Sequence, residues 1–109
     1  MTTLDELLGV LASIQRLAAE GRERFDNDAR QRWSIERLWI FAGNLAERHI
    51  RETVIDGGTE PWSELIGTRN VYAHYIPTAI NYDRVWADTI ADTARIATAA
   101  RMRSGPRPP

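Results

Sequence analysis

Arg69, Asn70 and His74 stand close together in a chain of 109 residues whose only other histidine is His49. Their side chains suit RNA cleavage without a metal or any other cofactor. In that reaction the ribose 2′-hydroxyl attacks the adjacent phosphorus and loses a proton, while the leaving 5′-oxygen gains one. Imidazole titrates near neutral pH and can serve either step. Such positioned proton transfer contributes about 10²–10⁴-fold. A guanidinium supplies fixed charge and paired donors where negative charge builds on the phosphoryl oxygens. The Asn70 amide can orient the imidazole or bind a phosphate oxygen. DNA lacks the internal nucleophile, so this chemistry predicts RNA alone.

The same arginine admits a purely structural use. Arg69 falls in the middle of an apolar stripe formed by Trp62, Leu65, Ile66, Tyr72, Ala73 and Ile76. A guanidinium there must either pair with a carboxylate or open onto a wet cleft. Glu36 or Glu47 from another helix would serve as the carboxylate. His74 follows Arg69 by five residues, which is about 140° around an ideal helix. Asn70 and His74, four apart, share a face. A second copy of the helix across a dimer axis would bring both pairs into one cleft.

Other chemistries find little support. There is no cysteine, which removes disulfides and thiolate metal sites. Two histidines with no third clustered ligand give no metal site. No nucleophile elbow, P-loop or dinucleotide fingerprint is present. The formal net charge of −1 argues against coating nucleic acid by bulk attraction. It leaves room for a local basic cleft. The sequence has no lysine, so all 14 basic side chains are arginines, and any phosphate contact falls to a guanidinium fork. The acidic start lacks the basic and apolar runs of a secretory leader, and no apolar stretch is long enough to span a bilayer. A cytoplasmic protein with no membrane partner is expected.

Four segments of helical periodicity must position these residues, and none has a sustained period of two. The first covers about residues 3–25 on a stripe through Leu4, Leu7, Leu8, Leu11, Ile14, Leu17 and Ala18. Thr3 and Glu6 have capping-box spacing at its start, and Gly21 weakens its end. The second covers about 28–54, with Ile35, Leu38, Trp39, Ala42, Leu45, Ala46 and Ile50 inward. The run Asp56-Gly57-Gly58-Thr59-Glu60-Pro61 breaks it. The third runs from residue 61 or 62 to about 75 and is stopped by Pro77. The fourth spans about 82–102 on Val85, Trp86, Ile90, Ile96 and Ala97. His49 reads as a half-exposed helix residue. Short connections predict an all-α, antiparallel up-and-down four-helix bundle over residues 1–103, with 104–109 as a disordered tail. Four tryptophans leave apolar surface either for the core of one copy or for a homodimer.

The stretch from Trp62 through Leu65-Ile66-Gly67-Thr68-Arg69-Asn70-Val71-Tyr72-Ala73-His74 resembles the signature of the HepT-like branch of HEPN proteins. In that family a tryptophan and an Ile-Gly step precede Arg-Asn, and Ala-His or Val-His closes an Arg-x4-His motif. Tyr82-Asp83-Arg84-Val85-Trp86 is similar to the family's last helix. Ser34-Ile35-Glu36-Arg37-Leu38, with Gly43 beyond, is similar to its long second helix. The likeness covers about residues 28–90.

The resemblance implies four-helix bundles that dimerise, joining two Arg-x4-His motifs into one ribonuclease site. Many such proteins are toxins encoded beside a small MNT-type nucleotidyltransferase antitoxin, which transfers AMP onto a tyrosine two residues after the motif histidine. Carried over, Arg69 and His74 are the catalytic pair and Asn70 supports them. The tyrosine is displaced, because position 76 is isoleucine and Tyr75 directly follows His74. On a helix that shift is about 100°, and Tyr75 reaches the same space only if the helix has unwound before Pro77. Otherwise neutralisation rests on complex formation. Where the family often has a carboxylate after the second-helix glycine, this chain has Asn44, with Glu36 and Glu47 as nearby polar candidates. The alternative reading is a non-catalytic HEPN subunit that presents nucleotide or substrate to its partner nucleotidyltransferase, with Arg69 holding phosphate.

Overall fold

The computed structural model describes residues 1–74 and 79–103. Tyr75, Ile76, Pro77 and the 104–109 tail lie outside the described residues, as do the expectations attached to them. Within the described residues the regular structure is entirely helical: α1 (Thr3–Ala18), α2 (Arg22–Asn27), α3 (Ala29–Glu52), α4 (Trp62–His74) and α5 (Tyr82–Met102). None of these helices is long and apolar enough to cross a membrane.

α1 starts one residue earlier in its cap than the spacing predicts. Thr2, not Thr3, is the N-cap: its hydroxyl accepts from the Asp5 N–H at 3.0 Å, and the Asp5 carboxylate accepts from the Thr2 N–H at 3.1 Å. This reciprocal pair satisfies two of the orphan donors that open every helix. Thr3 is thereby freed for tertiary work. It donates to Glu52 at 2.8 Å and accepts from Arg48 at 3.1 Å, tying the start of α1 to the end of α3. Glu6 ion-pairs with the same Arg48.

The first segment is not one helix. Gly21 takes a φ of 100°, a backbone state that favours glycine, and the chain turns there into the short α2. The turn lets Phe25 reach the core, where it is fully buried. Its ring meets Tyr82 edge-on at 6.2 Å and Trp86 at 5.1 Å. A straight continuation of α1 would have carried Phe25 past these partners.

α3 is the organising rod, about 36 Å long at 1.5 Å per residue. It begins where Asp28 caps the Arg30 N–H at 2.9 Å. Its buried stripe is Ile35, Trp39, Ala42 and Ala46, at spacings of four, three and four. Burying each large apolar side chain contributes about 1.5–3 kcal/mol. The small ones matter differently, since they let neighbouring helices come close.

α4 follows a loop fixed by Asp56, whose carboxylate accepts from the Gly58 N–H at 2.9 Å. Pro61 stands just before the first helical residue, and the Glu60 carboxylate caps the Glu64 N–H at 3.1 Å. Trp62 is fully buried and stacks on His49 with ring centroids 4.9 Å apart. His49 is therefore a core residue at 7% exposure and not half-exposed. A histidine on a helix face with mixed neighbours does not reveal by spacing that an indole will cover it.

α5 also departs from its apolar pattern. Ile90 is 57% exposed, while Thr89 and Thr93 are buried. The threonines can turn inward because their hydroxyls are used: Thr93 donates to the Thr89 carbonyl at 2.6 Å, and Thr89 accepts from the Trp39 indole at 3.2 Å. Val85, Ile96 and Ala97 are inward as their spacing predicts. Of the four tryptophans, Trp39 and Trp62 are buried, Trp86 is half-buried and Trp33 is 51% exposed.

Candidate functional site

Glycine inside a helix costs about 1 kcal/mol relative to alanine, and α3 has one at its centre. A Cβ on Gly43 would lie 2.3 Å from the Arg69 Cβ and 2.7 Å from the Leu65 carbonyl oxygen. No real side chain fits that gap. Gly43 is thus the point at which α4 lies directly on α3, and it fixes where Arg69 emerges.

From there the Arg69 side chain runs along α3 and is 18% exposed. Its Nη1 ion-pairs with the Glu47 carboxylate and donates to the Asn44 amide oxygen at 3.3 Å. Its Nε and Nη2 both donate to the Asn70 amide oxygen, at 3.1 and 3.0 Å. One guanidinium therefore has three oxygen partners from two helices. The charge registers on Glu47: the hydrogen bond from Arg69, with its positive charge, holds that carboxyl below the usual glutamate range. Arg51 adds a weaker contact at 4.0 Å.

Of the two carboxylates that could face Arg69, Glu47 does so and Glu36 does not. Glu36 sits further toward the start of α3, 7% exposed, where its carboxylate accepts from the Tyr82 hydroxyl at 3.0 Å. Burial raises its pKa, opposed by the Tyr82 hydrogen bond and by Arg32. Glu36 belongs to the packing of α3 against α5.

His74 closes the described part of α4 and is exposed. The helix is unbroken from Arg69 through His74, so the angular offset of about 140° between them stands within one copy. Asn70 lies between the two. It holds Arg69 through its amide oxygen, and it precedes His74 by one turn on the same face. Tyr72, two residues before His74, is not a proton acceptor near neutral pH. Burial, with smaller contributions from Asp88 and Glu36, pushes its hydroxyl well above the ordinary range.

The fold therefore brings Arg69, Asn70, Asn44 and Glu47 into one cluster, sets His74 at the open end of the same helix, and leaves Glu36 outside. Tyr75 lies outside the described residues. The residue that spacing alone did not single out as functional is Gly43. Its signal is present in the sequence, because a helix-disfavouring residue in the middle of a long rod marks a close approach. Among the described residues no three His, Asp or Glu side chains gather as a metal site would need.

Compared with protein-family models, curated proteins and solved structures, the chain matches none.

Proposed function

We propose that this chain is a HEPN-type endoribonuclease of the HepT-like branch, the toxin of a cytoplasmic toxin–antitoxin pair, active as a homodimer. The observation that carries this reading is the setting of Arg69. Its guanidinium is oriented by Asn70, Asn44 and Glu47, and Asn70 stands one turn from the exposed His74. A guanidinium held in place and a solvent-facing imidazole are the two groups that metal-independent phosphodiester cleavage asks of a protein.

In this mechanism His74 moves the protons. It accepts one from the 2′-hydroxyl as that oxygen attacks phosphorus, or returns one to the departing 5′-oxygen. Arg69 faces the phosphoryl oxygens as charge develops on them, and Asn70 holds its guanidinium in place. The products are a 2′,3′-cyclic phosphate and a free 5′-hydroxyl.

Within one copy the two groups point about 140° apart, which is the reason for proposing a dimer. Pairing the α4 ends of two copies sets the imidazole of one beside the guanidinium of the other. Val71, on α4 between Arg69 and His74, is 49% exposed and offers apolar surface for that contact. The up-and-down arrangement of the four long helices is part of the same proposal. Supporting contacts are Trp62 on His49, Arg95 with Glu64 at 2.8 Å, and Tyr82 on Glu36. Neutralisation falls to an MNT-type nucleotidyltransferase, with Tyr75 as the candidate acceptor of AMP.

The test is incubation of the purified protein with bulk RNA in the presence of a chelator. Expected are fragments ending in 2′,3′-cyclic phosphate, absent with His74→Ala. RNA left intact, together with tight binding of ATP or of the transferase, would favour the non-catalytic subunit instead.

A further inference from the structure

The first half of α3 carries Arg30, Trp33 and Arg37 at spacings of three and four, which puts them on one face. They line an open groove of about 790 Å³ whose far wall is Tyr72 of α4 and Ile80 just before α5. Trp33 is 51% exposed, an unusual state for the largest apolar side chain. Arg37 lies over the Phe41 ring at 5.4 Å. Among the described residues neither Arg30 nor Arg37 has a carboxylate partner, whereas Arg22, Arg24, Arg48, Arg69, Arg84 and Arg95 all do. The one acidic residue lining the groove, Glu36, is 7% exposed and occupied by Tyr82.

We infer that this groove is a binding track for single-stranded RNA, with a base stacked on Trp33 and phosphates on Arg30 and Arg37. The inference rests on the ribonuclease reading for the identity of its ligand and deepens it by assigning the substrate's path. Positive rim charges around an exposed aromatic plane are complementary to a strand that alternates anionic phosphates with flat bases. A second copy of this face would set arginine against arginine, since the groove has no free carboxylate to answer them. A duplex hides its bases in the stack and offers nothing to the indole. The position also fits, because Tyr72 in the far wall follows Arg69 by three residues and so lies on the same side of α4 as the guanidinium.

The experiment measures a fluorescent single-stranded oligoribonucleotide against the His74→Ala protein, which removes cleavage from the binding signal. Trp33→Ala should weaken binding about five- to 150-fold, the range for one lost base–aromatic stack. Arg30→Gln and Arg37→Gln should each flatten the dependence of log affinity on log salt by about 0.7, one phosphate's worth for a single strand. A loss of packing alone would not change that slope. Trp33→Phe should restore most of the affinity. In the cleaving protein, Trp33→Ala should raise KM and leave kcat nearly unchanged.

Unchanged affinity and slope in these variants would overturn the inference, as would equal binding of duplex RNA. So would a change of mass in the ultracentrifuge caused by Trp33→Ala with RNA affinity intact, which would make the face a contact between copies. The two readings separate cleanly. Binding that depends on Trp33 without any cleavage sinks the ribonuclease and keeps the groove, and cleavage indifferent to Trp33 does the reverse.

Discussion

The Arg69 side chain leaves α4 at Gly43 and ion-pairs with Glu47, one turn further along α3. Packing and chemistry meet at that seam, because the contact that seats the helix also aims the guanidinium. A methyl group at position 43 would have to displace the Arg69 Cβ and a backbone carbonyl, neither of which is the loose end of a side chain. Gly43→Ala should therefore destabilise the fold by about 1–3 kcal/mol despite its better helix propensity. The check is the urea midpoint. RNA cleavage should fall further than the lost stability explains, because Arg69 moves with the helix.

The ion pair itself should be visible in pH dependence. Arg69 holds the Glu47 carboxyl below its ordinary range. A carboxyl with a depressed folded-state pKa lends stability that is complete above its unfolded value, about 4.3, and that disappears as pH falls through the lower folded value. Coupling in an Arg69→Ala/Glu47→Ala double-mutant cycle should accordingly be favourable at pH 7 and shrink below pH 4. Coupling that stayed constant down to pH 2 would mean the pair is held by packing and not by charge.

Glu36 should behave in the opposite sense. Burial raises its pKa, so its charged form is disfavoured in the folded protein. The relative stability it confers is complete below the unfolded value and is lost as pH rises through the folded one. Glu36→Gln keeps an oxygen to accept from the Tyr82 hydroxyl and removes the charge. The expected result is a melting temperature equal to or above the parent's at pH 7, with the difference narrowing toward pH 4. Glu36→Ala should melt lower at both, since it leaves the Tyr82 hydroxyl without its partner.

Much of this was legible in the residues, for reasons that also mark where reading stopped. The α3 stripe could be read because apolar side chains at spacings of three and four have one way to be buried. The division of the first segment at Gly21 could not, because glycine weakens a helix without dictating a turn. What decided it was Phe25 finding Tyr82 and Trp86, partners about 60 residues away in sequence. The inward threonines of α5 were hidden for the same reason, since Thr89 and Thr93 become acceptable in the core only once Trp39 and a helix carbonyl supply hydrogen bonds. At the candidate site the sequence offered Glu36 and Glu47 as equals for Arg69. Choosing between them required the rotation of α3, which Gly43 sets.

His74 gives the sharpest separation between folding and function. It is exposed at the end of α4, and surface substitutions away from caps and core usually change stability by no more than about 0.5 kcal/mol. A group that only decorates the helix would be as dispensable to activity as it is to the fold. If its imidazole instead carries the protons of phosphodiester cleavage, His74→Ala should lower the rate by about 10²–10⁴-fold while the urea midpoint stays within error of the parent. Arg69→Ala should lower both, because its guanidinium also answers Glu47, Asn44 and Asn70. The two variants thus form a pair in which one loses only activity and the other loses activity and stability together. A His74→Ala protein that still cleaves at the parental rate, or one that unfolds, would break that pairing and with it the assignment of the imidazole to the chemistry.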